Sequence, residues 1–334
     1  MSTPALPYQY LPHLTVARVS TLIVFGLSMS ACNSLKPIST TAPVVTHKPT
    51  VALVLGGGGA KGFAHVGVIK ALEANGITPT LVVGTSVGSL VGSLYASGYT
   101  AKQLERLALT TTDSELTDFT LSNQGFIEGI KLKNFINAKV AKRPIENFPI
   151  SFAAIAAEKN TLKKAVFTTG DAGLAVQASC SVPNIFIAPR VPEKVGKKYI
   201  DGGVVSLVPV DSARDLGADI IIAVDVTAAN ANTSTINQKP TINSLTSFWG
   251  FLENNVVSNV SSISKQSSIN RALLMRHERD RADIVIIPNI GHNSSLDTSQ
   301  RSTLIAAGSQ ATTAQINAIK QLINEKSKSK YATL

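Results

Sequence analysis

A serine at the centre of a five-residue motif is the candidate nucleophile in this chain of 334 residues. Gly84–Gly88 reads GTSVG and fits G-x-S-x-G, the pattern that presents a serine hydroxyl at a sharp turn between a strand and a helix. The flanking glycines are needed there because a Cβ would collide with the adjacent strand and helix. The helix N-terminus beneath Ser86 adds positive potential, which favours a developing anion.

A second motif offers bare backbone amides rather than side chains. Gly56–Gly62 reads GGGGAKG, and residues 57–62 fit the dinucleotide-binding pattern G-x-G-x-x-G. The next predicted strand ends in residues 84–86 (GTS), where such a unit would have a carboxylate. A P-loop is also excluded, because Lys61 is followed by Gly62 and has no glycine directly before it. The remaining role is oxyanion stabilisation, to which one donor typically contributes about 3–4 kcal/mol.

The serine needs a base, and two candidates stay open. Asp201 lies in an Asp-Gly-Gly turn; a carboxylate with an ordinary pKa near about 4 is a weak base. It can serve if it bonds the serine directly and the oxyanion hole carries much of the load. His292 follows Ser86 and an aspartate in chain order and could complete a triad. The other histidines of the mature chain, His47, His65 and His277, fall in a predicted tether, a helix where a structural role is expected, and a predicted solvated helix end.

Apolar strands that alternate with helices must position these motifs, and this alternation predicts an α/β fold with a mainly parallel sheet. Strands are expected at residues 51–55, 80–84, 150–157, 162–168, 219–225 and 283–288. Helices are expected at residues 61–75, 87–96 and 297–324. Each of the two glycine-rich motifs directly follows a predicted strand.

A further amphipathic helix is predicted between the last two strands. Residues 227–244 are rich in Asn, Thr and Ala and are expected to form a surface loop. Apolar residues then recur at steps of three and four over 245–263, a segment that contains Trp249, the only tryptophan. Packing on the core is favoured over a role as a lid or lipid-contacting helix.

The N-terminal residues 1–31 have the parts of a secretory signal: Arg18, a short apolar core at 19–27, and small residues. Residues 29–32 (MSAC) resemble the lipobox of bacterial lipoproteins, with Met where Leu is usual, which predicts lipidation at Cys32.

The residue after that cysteine is Asn33 rather than the Asp of inner-membrane retention, so this resemblance implies an outer-membrane lipoprotein. Residues 32–50 are rich in Ser, Thr and Pro and are expected to form a flexible tether. A soluble periplasmic protein cut nearby is the alternative.

Composition excludes several classes of protein. Hydrophobic residues make up 44% and charged residues 16%, which excludes wholesale disorder. No apolar run reaches the roughly 20 residues of a membrane-spanning helix, which excludes a polytopic membrane protein. Cys32 and Cys180 alone cannot build a disulfide scaffold. The net charge is +10, and the lysines at 159, 163, 164, 194, 197 and 198 suit anionic headgroups, although a solvated basic surface is favoured for most of them. Export and the lack of interleaved aromatics argue against a nucleic-acid role.

Taken together, the glycine loop, the serine motif and Asp201-Gly202-Gly203 resemble the patatin-like phospholipase family in type, order and spacing. The stretches 62–73, 178–186 and 216–225 are similar to it as well, so the resemblance covers roughly 51–226. It implies a three-layer α/β fold with a mainly parallel central sheet flanked by helices. Residues 51–226 would be the catalytic domain, and 227–334 an extension packed on the same core.

The resemblance implies a Ser–Asp dyad, with Ser86 as nucleophile and Asp201 as base. It also implies an oxyanion hole formed by the amides around Gly57, Gly58 and Gly59. The remaining motif residues are Lys61, Gly62, Gly84, Gly88, Gly202 and Gly203. Lys61 stands where many members have Arg, and residues 153–158 (AAIAAE) depart from the Thr-Asp usual in bacterial relatives.

The activity implied is that of a lipid acyl hydrolase, of the phospholipase A or lysophospholipase type, with an acyl-enzyme intermediate. Its partners would be a phospholipid or other lipid ester and, through the lipid anchor, a membrane. Two alternatives remain: an esterase with a triad through His292, and a non-enzymatic envelope lipoprotein. Nothing in the sequence indicates a metal or an organic cofactor. The sequence does not indicate which ester bond is cut, which headgroup the substrate carries, or what the oligomeric state is.

Overall fold

A mixed sheet of eight strands forms the centre of the computed structural model, which describes residues 48–228, 273–291 and 293–329. Its strands are β1 (Val51–Leu55), β2 (Leu81–Thr85), β3 (Ser151–Glu158), β4 (Lys164–Phe167), β5 (Arg190–Val191), β6 (Lys197–Asp201), β7 (Ile220–Val224) and β8 (Ile284–Ile286). They lie in the order β5-β6-β3-β2-β1-β7-β8, and β4 pairs with β3. Strands β3, β2, β1, β7 and β8 run parallel to one another. Strands β4 and β6 pair antiparallel with β3, and β5 pairs antiparallel with β6.

Helices lie against this sheet. They are α1 (Phe63–Ala74), α2 (Val87–Ala96), α3 (Ala101–Thr110), α4 (Asp113–Leu116), α5 (Ile130–Lys139), α6 (Ala172–Ser179), α7 (Val210–Asp215), α8 (Arg301–Thr313) and α9 (Ile316–Ser329). Residues 273–279 are helical as well.

Strand β1 shows why the predicted class, an α/β fold with a sheet flanked by helices, is confirmed. Successive side chains of a strand point to opposite faces of its sheet. Leu53 and Leu55 pack in the cluster that contains α1, α2 and α8, whereas Ala52 and Val54 pack in the cluster that contains α7 and Met275. Both faces of the sheet are therefore covered. This explains why the central strands read as unbroken apolar runs rather than alternating ones.

Strand β3 brings the ends of two other strands together. Its residues 154–155 pair with both β4 and β2, and its residues 156–157 pair with both β4 and β6. A strand has only two edges, so β2 and β6 must follow one another along the same edge of β3. Thr85, at the end of β2, and Asp201, at the end of β6, therefore pair with consecutive residues of β3.

The C-terminal helices differ from the single helix predicted over 297–324. The structure has α8 and α9 with a break at residues 314–315. Thr312 and Thr313 return their hydroxyls to the carbonyls of Gly308 and Ser309, a side-chain bond that bends helices. Leu304 and Ile305 of α8 belong to the apolar cluster around β1.

Several predictions fall outside the described residues. These are the signal segment 1–31 with Cys32, nearly all of the tether 32–50, and the amphipathic helix over 245–263. Within the described ranges, no helix combines the length and the apolar character that crossing a membrane requires.

Two glycines let α1 and α8 approach to backbone contact. A Cβ added to Gly67 would lie 1.8 Å from the Ile305 carbonyl oxygen, and one added to Gly308 would lie 2.0 Å from that of Ala64. Such distances are far inside van der Waals contact, so the helices must separate to admit any side chain.

We predict that Gly67→Ala lowers the free energy of unfolding by about 3 kcal/mol, near the top of the usual overpacking range. Gly92→Ala in α2 is the matched control, because its added methyl would meet only side-chain atoms, the nearest at 3.0 Å. Urea unfolding of both variants measures the difference. Equal stabilities for Gly67→Ala and the wild type would show that the α1–α8 contact does not constrain the fold.

Candidate active site

Ser86 stands on a strained turn between β2 and α2. Its backbone has φ 54° and ψ −127°, a combination that non-glycine residues rarely adopt and that persists only when the surroundings enforce it. Here the Ser86 amide donates to the Ser179 hydroxyl at 2.9 Å, and the Ser86 carbonyl accepts from the Ser89 hydroxyl at 2.7 Å. The Ser179 hydroxyl in turn donates to the Ile155 carbonyl at 2.6 Å. The turn is thus fixed to both β3 and α2.

The glycines that flank the serine are required by close backbone contacts. A Cβ on Gly84 would lie 2.4 Å from the carbonyl oxygen of Gly88 in α2. A Cβ on Gly88 would lie 2.1 Å from the carbonyl oxygen of Leu55 in β1. A side chain at either position would therefore collide with the helix or the strand, as the sequence predicts.

Asp201 ends β6 and is fully buried. Its amide donates to the Ser181 carbonyl at 2.8 Å, and its Oδ1 accepts from the Gly203 amide at 2.7 Å. A Cβ on Gly202 would lie 2.2 Å from the Ile155 carbonyl oxygen, so the turn packs directly on β3. Oδ2 is buried and has no hydrogen bond within the part of the chain that the structure describes.

The hydroxyl of Ser86 is close enough to the Asp201 carboxylate to act on its pKa. Burial raises the pKa of Asp201 to about 6, against the opposing effects of hydrogen bonding from the Ser86 hydroxyl and the Gly203 amide. The Ser86–Asp201 interaction is a near approach rather than a bond of ideal geometry, because Oδ2 has no donor that meets normal hydrogen-bond criteria. Catalytic hydrogen bonds are often long or poorly aligned in the absence of substrate. The predicted nucleophile and base are thus together, although they are 115 positions apart in sequence.

The glycine loop between β1 and α1 is held from several directions. The Gly56 amide donates to the Val224 carbonyl of β7 at 3.0 Å, and the Ala60 amide donates to the Ser295 carbonyl at 2.8 Å. The buried Lys61 side chain donates to the Gly291 carbonyl at 3.3 Å. Burial lowers the pKa of Lys61, although the charge of Asp225 acts in the opposite direction.

The amides of this loop are not equivalent. Gly57 donates its N–H to the Leu207 carbonyl at 3.0 Å, so this donor is engaged in the structure. Gly58 and Gly59, by contrast, have amides with no acceptor among the described residues. A Cβ on Gly58 would lie 2.6 Å from a methyl of Val226, which explains the need for glycine there. Of the predicted oxyanion donors, Gly58 and Gly59 are therefore the available ones.

A buried ion pair stabilises the segment 225–228, which packs against Gly58. The Asp225 carboxylate accepts from the amides of Thr227 and Ala228 at 2.9 and 3.1 Å. Its other oxygen accepts from Arg279 at 3.0 Å, and both side chains are nearly inaccessible. The bend after β7 is thereby fixed beside the glycine loop.

His65 is structural, as expected from its position in α1. The ring is fully buried, and its Nε2 lies 2.8 Å from the Gly56 carbonyl oxygen, so this nitrogen carries the proton. Burial lowers the pKa of His65 to about 4. The neutral imidazole therefore clamps the first residue of the glycine loop at physiological pH.

The other histidines do not add a described base to the site. His277 is exposed at the end of the 273–279 helix, as predicted, and His47 and His292 lie outside the described residues. The described geometry therefore does not test a triad through His292.

An apolar cavity of about 410 Å³ opens beside the serine. Ser86 and Gly59 contribute to its wall, with helices α2, α3 and α5 and the segment 182–186 supplying most of the rest. The aliphatic and aromatic lining residues include Phe63, Val66, Val87, Leu90, Val91, Leu94, Leu104, Leu107, Leu116, Ile127, Leu132, Phe135, Val182, Ile185, Phe186 and Leu296. A larger surface depression of about 690 Å³, between α1, α3 and α8, does not reach Ser86.

Cys180 also lines this cavity and is buried. Burial raises the pKa of its thiol, and the nearby Asp201 charge raises it further. A protonated, buried thiol is a poor nucleophile, which leaves Ser86 as the reactive group at this wall.

Sequence reasoning missed two groups of residues that hold the site. Ser179 anchors the Ser86 amide; it lies in the 178–186 stretch that carried the family resemblance, so a signal for it existed. Glu278 and Arg279 belong to a segment expected to be solvated, yet both are buried. Glu278 accepts from the Ser206 hydroxyl at 2.8 Å, and nothing local in the sequence indicates this long-range partner.

The fold and this geometry define a class: α/β proteins with a serine elbow at the end of a central parallel strand, beside a buried carboxylate and a glycine loop. Comparison with known proteins narrows the class. Residues 53–214 match the family model of the patatin-like phospholipases. Over these residues, which are 162 of the 334, the chain is similar to the patatin-like phospholipases.

Two curated relatives illustrate the match. A patatin-like phospholipase domain-containing protein of Caenorhabditis elegans is 36% identical over 182 residues, which is 53% of this chain and 13% of the worm protein. Lysophospholipase NTE1 of Pyricularia oryzae is 35% identical over 185 residues, which is 53% of this chain and 12% of the fungal protein. The chain thus spans about an eighth of the length of either relative.

One solved structure shares the fold. VipD from Legionella pneumophila superposes with a TM-score of 0.53 and 15% sequence identity, covering 84% of this chain and 67% of VipD. At this level of identity the likeness concerns the fold alone.

The raised pKa of Asp201 makes a prediction about stability. Between pH 3.8 and about 6 the folded chain binds a proton at Asp201 that the unfolded chain releases. Stability must therefore fall as pH rises through this window. Asp201→Asn keeps an oxygen for the Gly203 amide but cannot ionise.

We expect Asp201→Asn to be more stable than the wild type above pH 6 by about 3 kcal/mol, at 1.36 kcal/mol per unit of pKa. The difference should shrink as pH falls toward 4. Urea unfolding of both proteins across this range measures it. A constant difference over the whole range would show that Asp201 has no raised pKa in the folded chain.

Proposed function

We propose that this chain is a lipid acyl hydrolase that uses Ser86 and Asp201 as a catalytic dyad. The observation that carries the proposal is one arrangement. A strained serine at the wall of a largely apolar cavity acts by hydrogen bonding on a buried carboxylate, one oxygen of which has no partner among the described residues. Such a cavity fits an acyl chain, and its volume lies in the usual range of ligand sites.

In the first half-reaction, Ser86 Oγ bonds to the carbonyl carbon of the ester while its proton passes to Asp201. A carboxylate with a raised pKa is a better base for this transfer than an exposed aspartate. The carbonyl oxygen becomes an oxyanion, for which the free amides of Gly58 and Gly59 are the nearest unused donors of the glycine loop. Collapse of this intermediate breaks the ester C–O bond, and Asp201 returns the proton to the leaving alcohol.

The second half-reaction hydrolyses the acyl-enzyme. Asp201 takes a proton from water as its oxygen attacks the acyl carbon, and the resulting oxyanion again occupies the glycine loop. Cleavage of the bond to Ser86 Oγ, with the proton returned from Asp201, releases a fatty acid. This cycle needs no second titrating side chain, because one carboxylate takes and returns each proton.

A phospholipid or lysophospholipid is the substrate class we propose. The family name and the name of the fungal relative, a lysophospholipase, support an ester of this type. The cavity supports recognition of a single acyl chain, since it forms one apolar space beside one serine.

We further propose that the chain is exported and anchored through an acylated Cys32 on the outer membrane, as the N-terminal sequence predicts. More than one acyl chain at that cysteine would give stable attachment. Mass spectrometry of the N-terminal peptide tests this directly.

Ser86→Ala should reduce hydrolysis of a short-chain p-nitrophenyl ester by about a millionfold, the scale on which a serine protease loses kcat with its nucleophile. Ser93→Ala is the matched control on the same helix, because that hydroxyl bonds only the Leu90 carbonyl within its own helix. Both variants should remain folded by circular dichroism. Full activity of Ser86→Ala in a preparation free of other esterases would refute the proposal.

The identity of the base is tested by two variants. We expect Asp201→Asn to abolish activity and His292→Ala to retain nearly all of it, since the carboxylate adjoins the serine directly. The pH–rate profile should rise through about pH 6 as Asp201 ionises. Near-complete loss in His292→Ala, with a normal unfolding transition, would favour the triad instead.

A further inference from the structure

A group of large apolar side chains is exposed around the opening of the acyl cavity. This apolar rim consists of Phe119, Leu121, Phe126 and Leu296. Their exposed fractions are 81%, 101%, 63% and 70% in that order. Single exposed apolar residues are ordinary, whereas a contiguous set marks an interaction surface.

The rim is continuous with the cavity wall. Leu296 is itself part of the wall although most of its side chain is exposed, which locates the opening. Phe126 directly precedes the lining residue Ile127, and Phe119 forms a β-bridge with Ile127.

Hydrogen bonds hold the rim in place, so its exposure is a built feature. The Phe126 amide donates to the Ile185 carbonyl at 2.8 Å, and the Thr120 amide donates to the Phe126 carbonyl at 2.9 Å. The Asp118 carboxylate accepts from the amides of residues 129–131 at 2.7 to 3.0 Å, which fixes the start of α5.

An ion pair closes the other side of the opening. Arg301 donates to Asp113 at 2.8 Å, to the Ala108 carbonyl at 2.9 Å and also to the Thr111 carbonyl. Since Asp113 and Arg301 both line the cavity, this clamp joins the end of α3 to the start of α8 across the opening.

The charges around the rim are mixed. Asp113 is paired with Arg301, whereas Asp118 bonds backbone amides, Glu115 bonds Thr112 and Asp297 bonds Ser299, so these three keep their negative charge. Glu128 is exposed as well. Two lysines border the rim, Lys198 bonded to Gln124 and Lys131 bonded to the Ser114 carbonyl.

We propose that the apolar rim inserts into a lipid surface, with its flanking lysines at the headgroups, so that an acyl chain passes from membrane to cavity without crossing water. The purpose of this docking rests on the proposed function, but the docking itself does not need the chemistry. A second copy of the chain seated on the rim would instead cover the cavity opening and exclude a lipid substrate. The lipid surface is therefore the occupant that the site requires.

The test is vesicle flotation with the full chain. Every protein carries Ser86→Ala, which prevents hydrolysis, and Cys32→Ser, which removes the site of the proposed acyl anchor. The vesicles are phosphatidylcholine with a minority of phosphatidylglycerol. The rim variant adds Phe119→Ser and Leu121→Ser. The control adds Val195→Ser, whose side chain is 83% exposed on the β5–β6 connection, outside the cavity wall.

We expect the rim variant to bind vesicles roughly a hundredfold more weakly than its parent, about tenfold for each apolar side chain removed. The Val195→Ser control should bind like the parent. Thermal unfolding midpoints should agree among the three, since the substituted side chains are exposed.

Equal vesicle binding by parent and rim variant would overturn the proposal. So would a change from dimer to monomer in the rim variant without a change in vesicle binding, because a second copy would then be the occupant. The two proposals can fail separately. Rim-dependent binding by a chain that hydrolyses no ester would leave the docking surface valid and remove the lipase function. Ester hydrolysis without rim-dependent binding would do the reverse.

Discussion

A single buried carboxylate oxygen is the constraint on which the rest of the site depends. Asp201 Oδ2 is fully enclosed and lacks a partner among the described residues, while Oδ1 is satisfied by the Gly203 amide. An unpaired charge in such a place destabilises the fold unless its pKa shifts. The same cost makes this oxygen a proton acceptor, because any hydroxyl brought to it relieves the desolvation. The burial that would make Asp201 reactive thus lowers the stability of the fold. The surrounding sheet must therefore hold the Asp201 turn in place.

The sheet does so through β3. Because β2 and β6 share one edge of this strand, the residues that end them are fixed by backbone pairing on both sides. Ser86 is then held by Ser179, which is anchored to the same strand. Glycines at positions 84, 88 and 202 let these elements touch backbone to backbone. Apart from the buried Ser179 hydroxyl, these contacts join backbone to backbone, so the sheet largely sets the separation of Ser86 and Asp201.

The sequence allowed much of this arrangement to be predicted, for identifiable reasons. Strands such as β1 and β7 are unbroken apolar runs, and helix α2 begins and ends at the predicted residues. The local pattern around Ser86 was sufficient to choose it, because turn geometry and residue type are local properties, whereas Asp201 was preferred to His292 only through the resemblance. Their proximity was implied by resemblance, not by local pattern.

Features that depend on distant partners could not be predicted. The Gly57 amide is engaged by Leu207, so one of the three proposed oxyanion donors is occupied. Arg279 was expected in solvent but pairs with Asp225, which lies 54 positions earlier. Such contacts leave no periodicity or motif in either partner, because each residue is ordinary in its own segment.

The glycine loop illustrates how rigid surroundings can compensate for a weak catalytic base in the proposed reaction. A carboxylate is a poorer general base than an imidazole at neutral pH, so a dyad must recover rate elsewhere. Donors that are already oriented contribute most when they need not reorganise during the reaction. Here His65 fixes the carbonyl of Gly56, and the Asp225–Arg279 pair fixes the chain that presses on Gly58. The two free amides therefore lie between clamps. Loosening either clamp should slow the reaction without touching Ser86 or Asp201, whereas an enzyme with a strong base would depend on them less.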